Sequence, residues 1–168
     1  MRWLIDGYNV IRRDPDLRAA EAAGLEAGRA ALLRAIAPVA VRLDDRFTVV
    51  FDGAPSRQSP PAPGRLEVIF SRPPESADDV LRRLARQAGA GSAVVSDDRA
   101  VADAARRAGC TVVGVAPFLS ALTAGGPPAE AEGDEDDDRD AGPRRGNPRR
   151  PSREARATTR ALRRLRGP

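Results

Sequence analysis

Five short apolar runs recur along the first 115 residues, each the length of a β-strand rather than of a helix. They are Arg2–Ile5, Phe47–Phe51 (FTVVF), Leu66–Phe70 (LEVIF), Ala93–Val95 and Thr111–Val115. Their residues do not alternate apolar with polar, which predicts strands buried on both faces, as in a covered parallel sheet. Ala-, Leu- and Arg-rich helical patterns separate them at Gly24–Arg42, Ser76–Ala88 and Arg99–Ala108, with a last turn at Pro117–Leu122. The stretch APSRQSPPAPGR reads as a loop. Strands alternating with helices predict an α/β protein, a three-layer α/β/α sandwich around a central parallel sheet of order 3-2-1-4-5.

The pattern stops near Gly125, and residues 1–125 are expected to form the domain. Residues 130–140 then hold eight acids against Arg139, and residues 141–168 hold ten Arg against Glu154. Such charge blocks bury too little apolar surface to offset ordering, so residues 126–168 are expected to be a low-complexity, disordered tail. A short basic helix over Arg153–Arg166 fits the spacing of Ala157, Ala161, Leu162 and Leu165, but alone in water it would be marginal. The chain has no His, which excludes Ser-His-Asp and Cys-His nucleophiles, histidine bases and imidazole zinc sites. Cys110 is single, so no internal disulfide forms, and a reducing, cytoplasmic setting fits. No signal peptide or membrane-spanning run is read.

The acids are placed more tellingly than they are numerous. In an open parallel sheet, ligands bind beyond the carboxyl ends of the strands, where the strand order reverses. Asp6 ends the first strand, Asp52 the second, and Asp97 and Asp98 the fourth; Asp78 and Asp79 open the helix before it, and Asp103 lies in the next helix. A 3-2-1-4-5 order sets Asp6 opposite Asp97, in a cleft of several carboxylates. Such a cluster favours a hard cation such as Mg²⁺ or Mn²⁺, which activates water and shields a phosphodiester. Plainer roles stand beside this one. Ser76-x-x-Asp79 is a capping box, Ser96 or Asp97 suits a helix cap, Asp52-Gly53 suits a turn, and Asp103 suits a solvated helix face.

The segments IDGYNVI, VVFDG, VIFS-x₄-SADD and VVSDD, in this order, resemble the NYN-domain branch of the PIN-like nuclease superfamily, and most of all its bacterial YacP-type family. The resemblance spans residues 1–123. It implies a PIN-like fold and a Mg²⁺- or Mn²⁺-dependent endoribonuclease acting on single-stranded RNA, messenger RNA on ribosomes included. Matched by position, Asp6, Asp78 and Asp97 are the catalytic acids, with Asp79 and Asp98 as neighbouring members of the metal cluster. Asn9 is the supporting amide; Ser96, Asp52 and Asp103 complete the supporting set. Arg12, Arg13, Arg57, Arg65 and Arg72 are placed in loops near the cleft, where they can track phosphates. With four Phe, one Trp and one Tyr, base stacking is poorly supplied, so weak sequence readout is expected. The alternative is an RNA-binding adaptor of the same fold with weak or no activity. A phosphohydrolase with an Asp nucleophile would need a second Asp two residues on and a Lys, whereas Tyr8 stands there and Lys is absent.

Overall fold

A computed structural model describes residues 1–54, 65–124 and 152–167. The described elements are β1 (Arg2–Asp6), α1 (Gly7–Arg13), α2 (Pro15–Ala22), α3 (Leu25–Arg42), β2 (Arg46–Phe51), β3 (Leu66–Phe70), α4 (Ala77–Ala88), β4 (Ser92–Val95), α5 (Arg99–Arg107), β5 (Thr111–Val113), α6 (Val115–Ala124) and α7 (Arg153–Arg166). The strands form one parallel sheet in the order β3-β2-β1-β4-β5, as the apolar runs predict.

Successive residues of a strand face opposite sides of the sheet, and β1 shows the consequence. Trp3 and Ile5 pack with Phe47, Val49 and Phe51 against Leu32 and Ile36 of α3 and Phe118 of α6. Leu4, between them, packs with Val50 and Val94 against Val80, Leu81 and Leu84 of α4 and Val101 and Ala105 of α5. The result is the expected three-layer sandwich.

Two short helices fall where no helix is expected. Asp6 caps α1 through its side chain, and Asp14 caps α2 by accepting from Asp16 and Leu17, with Pro15 at the first helical position. At seven and eight residues they are too short for an apolar period to be read. Arg12 and Arg13 therefore stand in the last turn of α1 and not in a loop. Arg57 lies outside the described residues.

The expectation of a disordered tail is corrected at its end. Residues 153–166 form α7, with Leu165 and Ala161 buried in the same core as Trp3 and Phe118. Burial of one Leu is worth about 1.5–3 kcal/mol, which a marginal helix needs in order to stay folded. A polar latch adds to it. Asp45, fully buried just before β2, accepts from the Arg164 guanidinium at 2.6–2.9 Å, the Met1 amine at 2.6 Å and the Trp3 indole at 3.1 Å. Burial pushes the Asp45 carboxyl up, but Arg164, then the amine and Trp3, outweigh it and hold it at about 2.

That depressed value has a pH signature. Asp45 contributes stability that is fully present above the ordinary carboxylate range near 3.8 and is lost as pH falls through about 2. Converted at 1.36 kcal/mol per unit, this is about 2 kcal/mol. Denaturant unfolding between pH 4 and pH 2 should therefore lose roughly that amount in the wild type and clearly less in Arg164→Ala. Equal losses in both proteins would remove Arg164 from the latch.

Candidate active site

The order β3-β2-β1-β4-β5 puts the reversal of strand order at β1, between β2 and β4. Asp6 is the last residue of β1 and the N-cap of α1, so its carboxylate is delivered to the carboxyl edge of the sheet while remaining only 7 % exposed. One carboxylate oxygen accepts from the Asn9 backbone N–H at 3.2 Å and the other from the Ser96 hydroxyl at 2.9 Å. The Ser96 Oγ in turn accepts from the Asp98 N–H at 3.1 Å, and the Asn9 side-chain oxygen accepts from the Asp97 N–H at 3.0 Å. Asn9 and Ser96 thus tie the end of β1 to the loop after β4.

Beyond this edge lies a cleft of about 580 Å³, lined by Asp6, Asp52, Asp78 and Asp98 with Tyr8, Asn9, Arg12, Arg13 and Ser76. Asp98 caps α5 by accepting from Val101 at 2.9 Å. Asp78 comes from the first turn of α4, and Asp52, after β2, accepts from the Ser71 hydroxyl. Burial pushes the Asp6 carboxyl up against the Asn9 and Ser96 hydrogen bonds, and the charges of Asp78 and Asp98 push it further. Asp78 is raised by burial first and then by Asp98, with Asp79 and Asp52 adding to it and Arg82 opposing. Asp6, Asp78 and Asp98 therefore share a negative potential.

Other expected site residues are turned elsewhere. Asp97 accepts from the Val115 N–H at 3.0 Å and pairs with Arg13 at 3.2 Å, and it is not among the cleft-lining residues. Asp79 closes the capping box with Ser76, whose hydroxyl and N–H bonds hold its carboxyl below the ordinary range. Asp103 pairs with Arg106 at 2.9 Å on α5. Arg65 precedes β3, at the amino edge of the sheet, and pairs with Asp44 at 2.5 Å. Arg72 follows β3 and is exposed at the carboxyl edge.

Arg29 has no place in the sequence reading, yet it organises one wall. It is buried, with its guanidinium 5.0–5.5 Å from the ring centres of Tyr8, Phe51 and Phe70. It donates to the Tyr8 hydroxyl at 2.6 and 2.9 Å and to the Ala54 and Asp52 carbonyls at 3.2 and 3.4 Å. The available signal was its register, because Arg29 shares the face of α3 that buries Leu32 and Ile36.

The fit to a divalent ion is specific in form. Among the described residues no three carboxylates converge on one metal-sized position. Both Asp6 oxygens also already accept a hydrogen bond. The set suits a hydrated cation held by one or two carboxylates, the binding mode of Mg²⁺, rather than a closed protein cage.

A parallel 3-2-1-4-5 sheet with carboxylates gathered at its reversal point fits a PIN-like, nuclease-type domain. Residues 3–157 match the YacP-like NYN domain, and the chain belongs to that family. It is 34% identical over 88 residues to the YacP protein of Bacillus subtilis, a match covering 49% of this chain and 50% of that protein, so about half the relative's length is spanned. Crystal structures of Rae1 (YacP) from Bacillus subtilis, one of them of a mutant, are similar at 26% identity. Their TM-scores are 0.64 and, for the mutant, 0.62, with 73% of this chain and 74% of that chain covered.

Gly7 is required here by space. A Cβ on it would lie 2.2 Å from the Phe51 ring, so α1 can leave β1 at this angle only without a side chain. Gly7→Ala should destabilise the domain by about 1–3 kcal/mol in denaturant unfolding, as overpacked cores do. A wild-type midpoint would show that the Phe51 ring moves aside freely.

Proposed function

We propose that this chain is a Mg²⁺- or Mn²⁺-dependent endoribonuclease that hydrolyses phosphodiester bonds of single-stranded RNA. The observation that carries the reading is the meeting of Asp6, Asp78 and Asp98 in one cleft, where Asp78 and Asp98 raise the cost of ionising Asp6, and Asp98 that of Asp78. A bound divalent ion would supply an activated water and shield the phosphodiester charge. Asp6 and Asp78 are the residues to hold it, with Asp98 and Asp52 as neighbouring acceptors. Asn9 and Ser96 keep the Asp6 carboxylate aimed by occupying its other lone pairs. Arg12 and Arg13 at the cleft wall are placed to contact flanking phosphates. The guanidiniums of Arg12 and Arg29 both lie over the Tyr8 ring, which fits backbone recognition better than base stacking. Messenger RNA on ribosomes is the substrate that the family resemblance suggests, and a cytoplasmic location goes with it. Among the described residues no helix is long and apolar enough to cross a membrane.

A second reading, an RNA-binding adaptor without cleavage, is favoured by one observation: Asp97 is engaged by Val115 and Arg13 outside the cleft lining. Metal-dependent cleavage of a generic single-stranded RNA separates the two.

Asp6→Asn should abolish that cleavage while leaving stability unchanged or higher. The sign follows from the raised carboxyl: an ionised Asp6 costs the fold stability above its own titration, and the neutral amide removes that cost. Asp78→Asn should lower the rate as well, whereas Asp103→Asn, on the α5 surface, should cleave nearly as the wild type. A wild-type rate in Asp6→Asn would exclude the cleft as the active site.

A further inference from the structure

The cleft uses few of the chain's Arg residues, and the largest remaining ordered group stands on α7. Arg153, Arg156, Arg160 and Arg163 recur at intervals of three and four residues, and all four are exposed. At about 100° per residue they fall within roughly 80° of one another, as a single stripe about 15 Å long. The stripe lies opposite the face that buries Ala161 and Leu165. With Thr159 the four border a shallow groove of about 530 Å³.

Two features separate this stripe from an ordinary solvated face. Two of the other charges of α7 are committed to the domain: Arg164 to Asp45, and Glu154 to Arg106 at 2.7 Å. Among the described residues, none of the four stripe arginines is in an ion pair. The helix is also fixed in place by the Asp45 latch, by Thr158 donating to the Val112 carbonyl at 3.0 Å, and by Arg42 donating to the Arg166 carbonyl at 3.1 Å. A fixed row of unpaired guanidiniums is preorganised for a polyanion with regularly spaced charge.

We propose that Arg153, Arg156, Arg160 and Arg163 form a second RNA-binding surface that tracks the phosphate backbone of a strand extending beyond the cleft; this rests on the reading of the cleft as an RNA site. Asp45 stands just ahead of β2 and Arg106 is in the last turn of α5, so α7 is anchored toward the amino ends of the strands. The cleft opens at their carboxyl ends. A strand of six residues separates the two edges by about 20 Å. A short oligonucleotide in the cleft does not reach the stripe, and a long RNA does.

The test replaces all four with Gln, a good helix former that keeps the stem and removes the charge. Binding of single-stranded RNA of about three and about 30 nucleotides is measured over a salt series without divalent metal, so that nothing is cleaved. Cleavage is then measured with metal. Each lost phosphate contact lowers the salt slope by about 0.7, so four should lower it by about 3 for the long RNA. Long-RNA affinity at low salt should fall more than tenfold and KM for long RNA should rise, with kcat, short-RNA binding and thermal unfolding at wild-type values.

A wild-type slope and affinity for long RNA in the variant would overturn the proposal and leave the nuclease reading standing. Equal losses for short and long RNA would also overturn it, because the stripe would then act through the cleft. If the wild type cleaves nothing but the variant still loses the slope, the stripe stands and the nuclease reading falls. If the wild type binds neither RNA, both fall.

Discussion

The constraint on which the site depends is the burial of one carboxylate, Asp6, at the end of the central strand. A buried carboxylate is costly, and the surroundings reduce that cost with two hydrogen bonds. Those two bonds come from Asn9 in α1 and Ser96 after β4. Reducing the cost of Asp6 is therefore the same act as joining the start of α1 to the loop after β4. The chain keeps Asp6 desolvated and near other acids, an arrangement that weakens the fold.

Identical side chains meet different fates a few ångströms apart. Asp6 and Asp78 are raised by burial and by neighbouring acids, whereas Asp79, next to Asp78, is lowered by its capping box. Asp45 is the most deeply buried of them, yet it is lowered to about 2, because Arg164, the amine of Met1 and Trp3 surround it. Partner chemistry decides between a carboxylate that stabilises the fold and one that costs it stability. The molecule has placed one kind at each edge of its sheet.

The two edges divide the work. At the carboxyl edge the charge is negative and concentrated. At the amino edge Asp45 gathers three donors and fastens a helix 119 residues away in sequence. Without that fastening, α7 would be a short, Arg-rich segment with little reason to fold.

Much of this was legible in the sequence because its causes are local. A run such as FTVVF is a strand by its own composition, the Ala- and Leu-rich segments are helices by their own period, and five of one alternating with the other leave a covered parallel sheet as the solution. The position of Asp6 at a strand end, and the capping box of Ser76 and Asp79, are equally local facts. Tertiary structure decided which acids share the cleft. Asp97 and Asp98 are adjacent in VVSDD, but the turn after β4 gives Asp98 to the cleft and Asp97 to Val115 and Arg13. It also decided that Arg29 would be buried among three aromatic rings, and that α7 would be a helix seated on the core rather than part of a tail. Each of these depends on a partner brought near only when the sheet assembles, as Arg164 meets Asp45 across 119 residues, and no window of sequence contains both halves of such a contact.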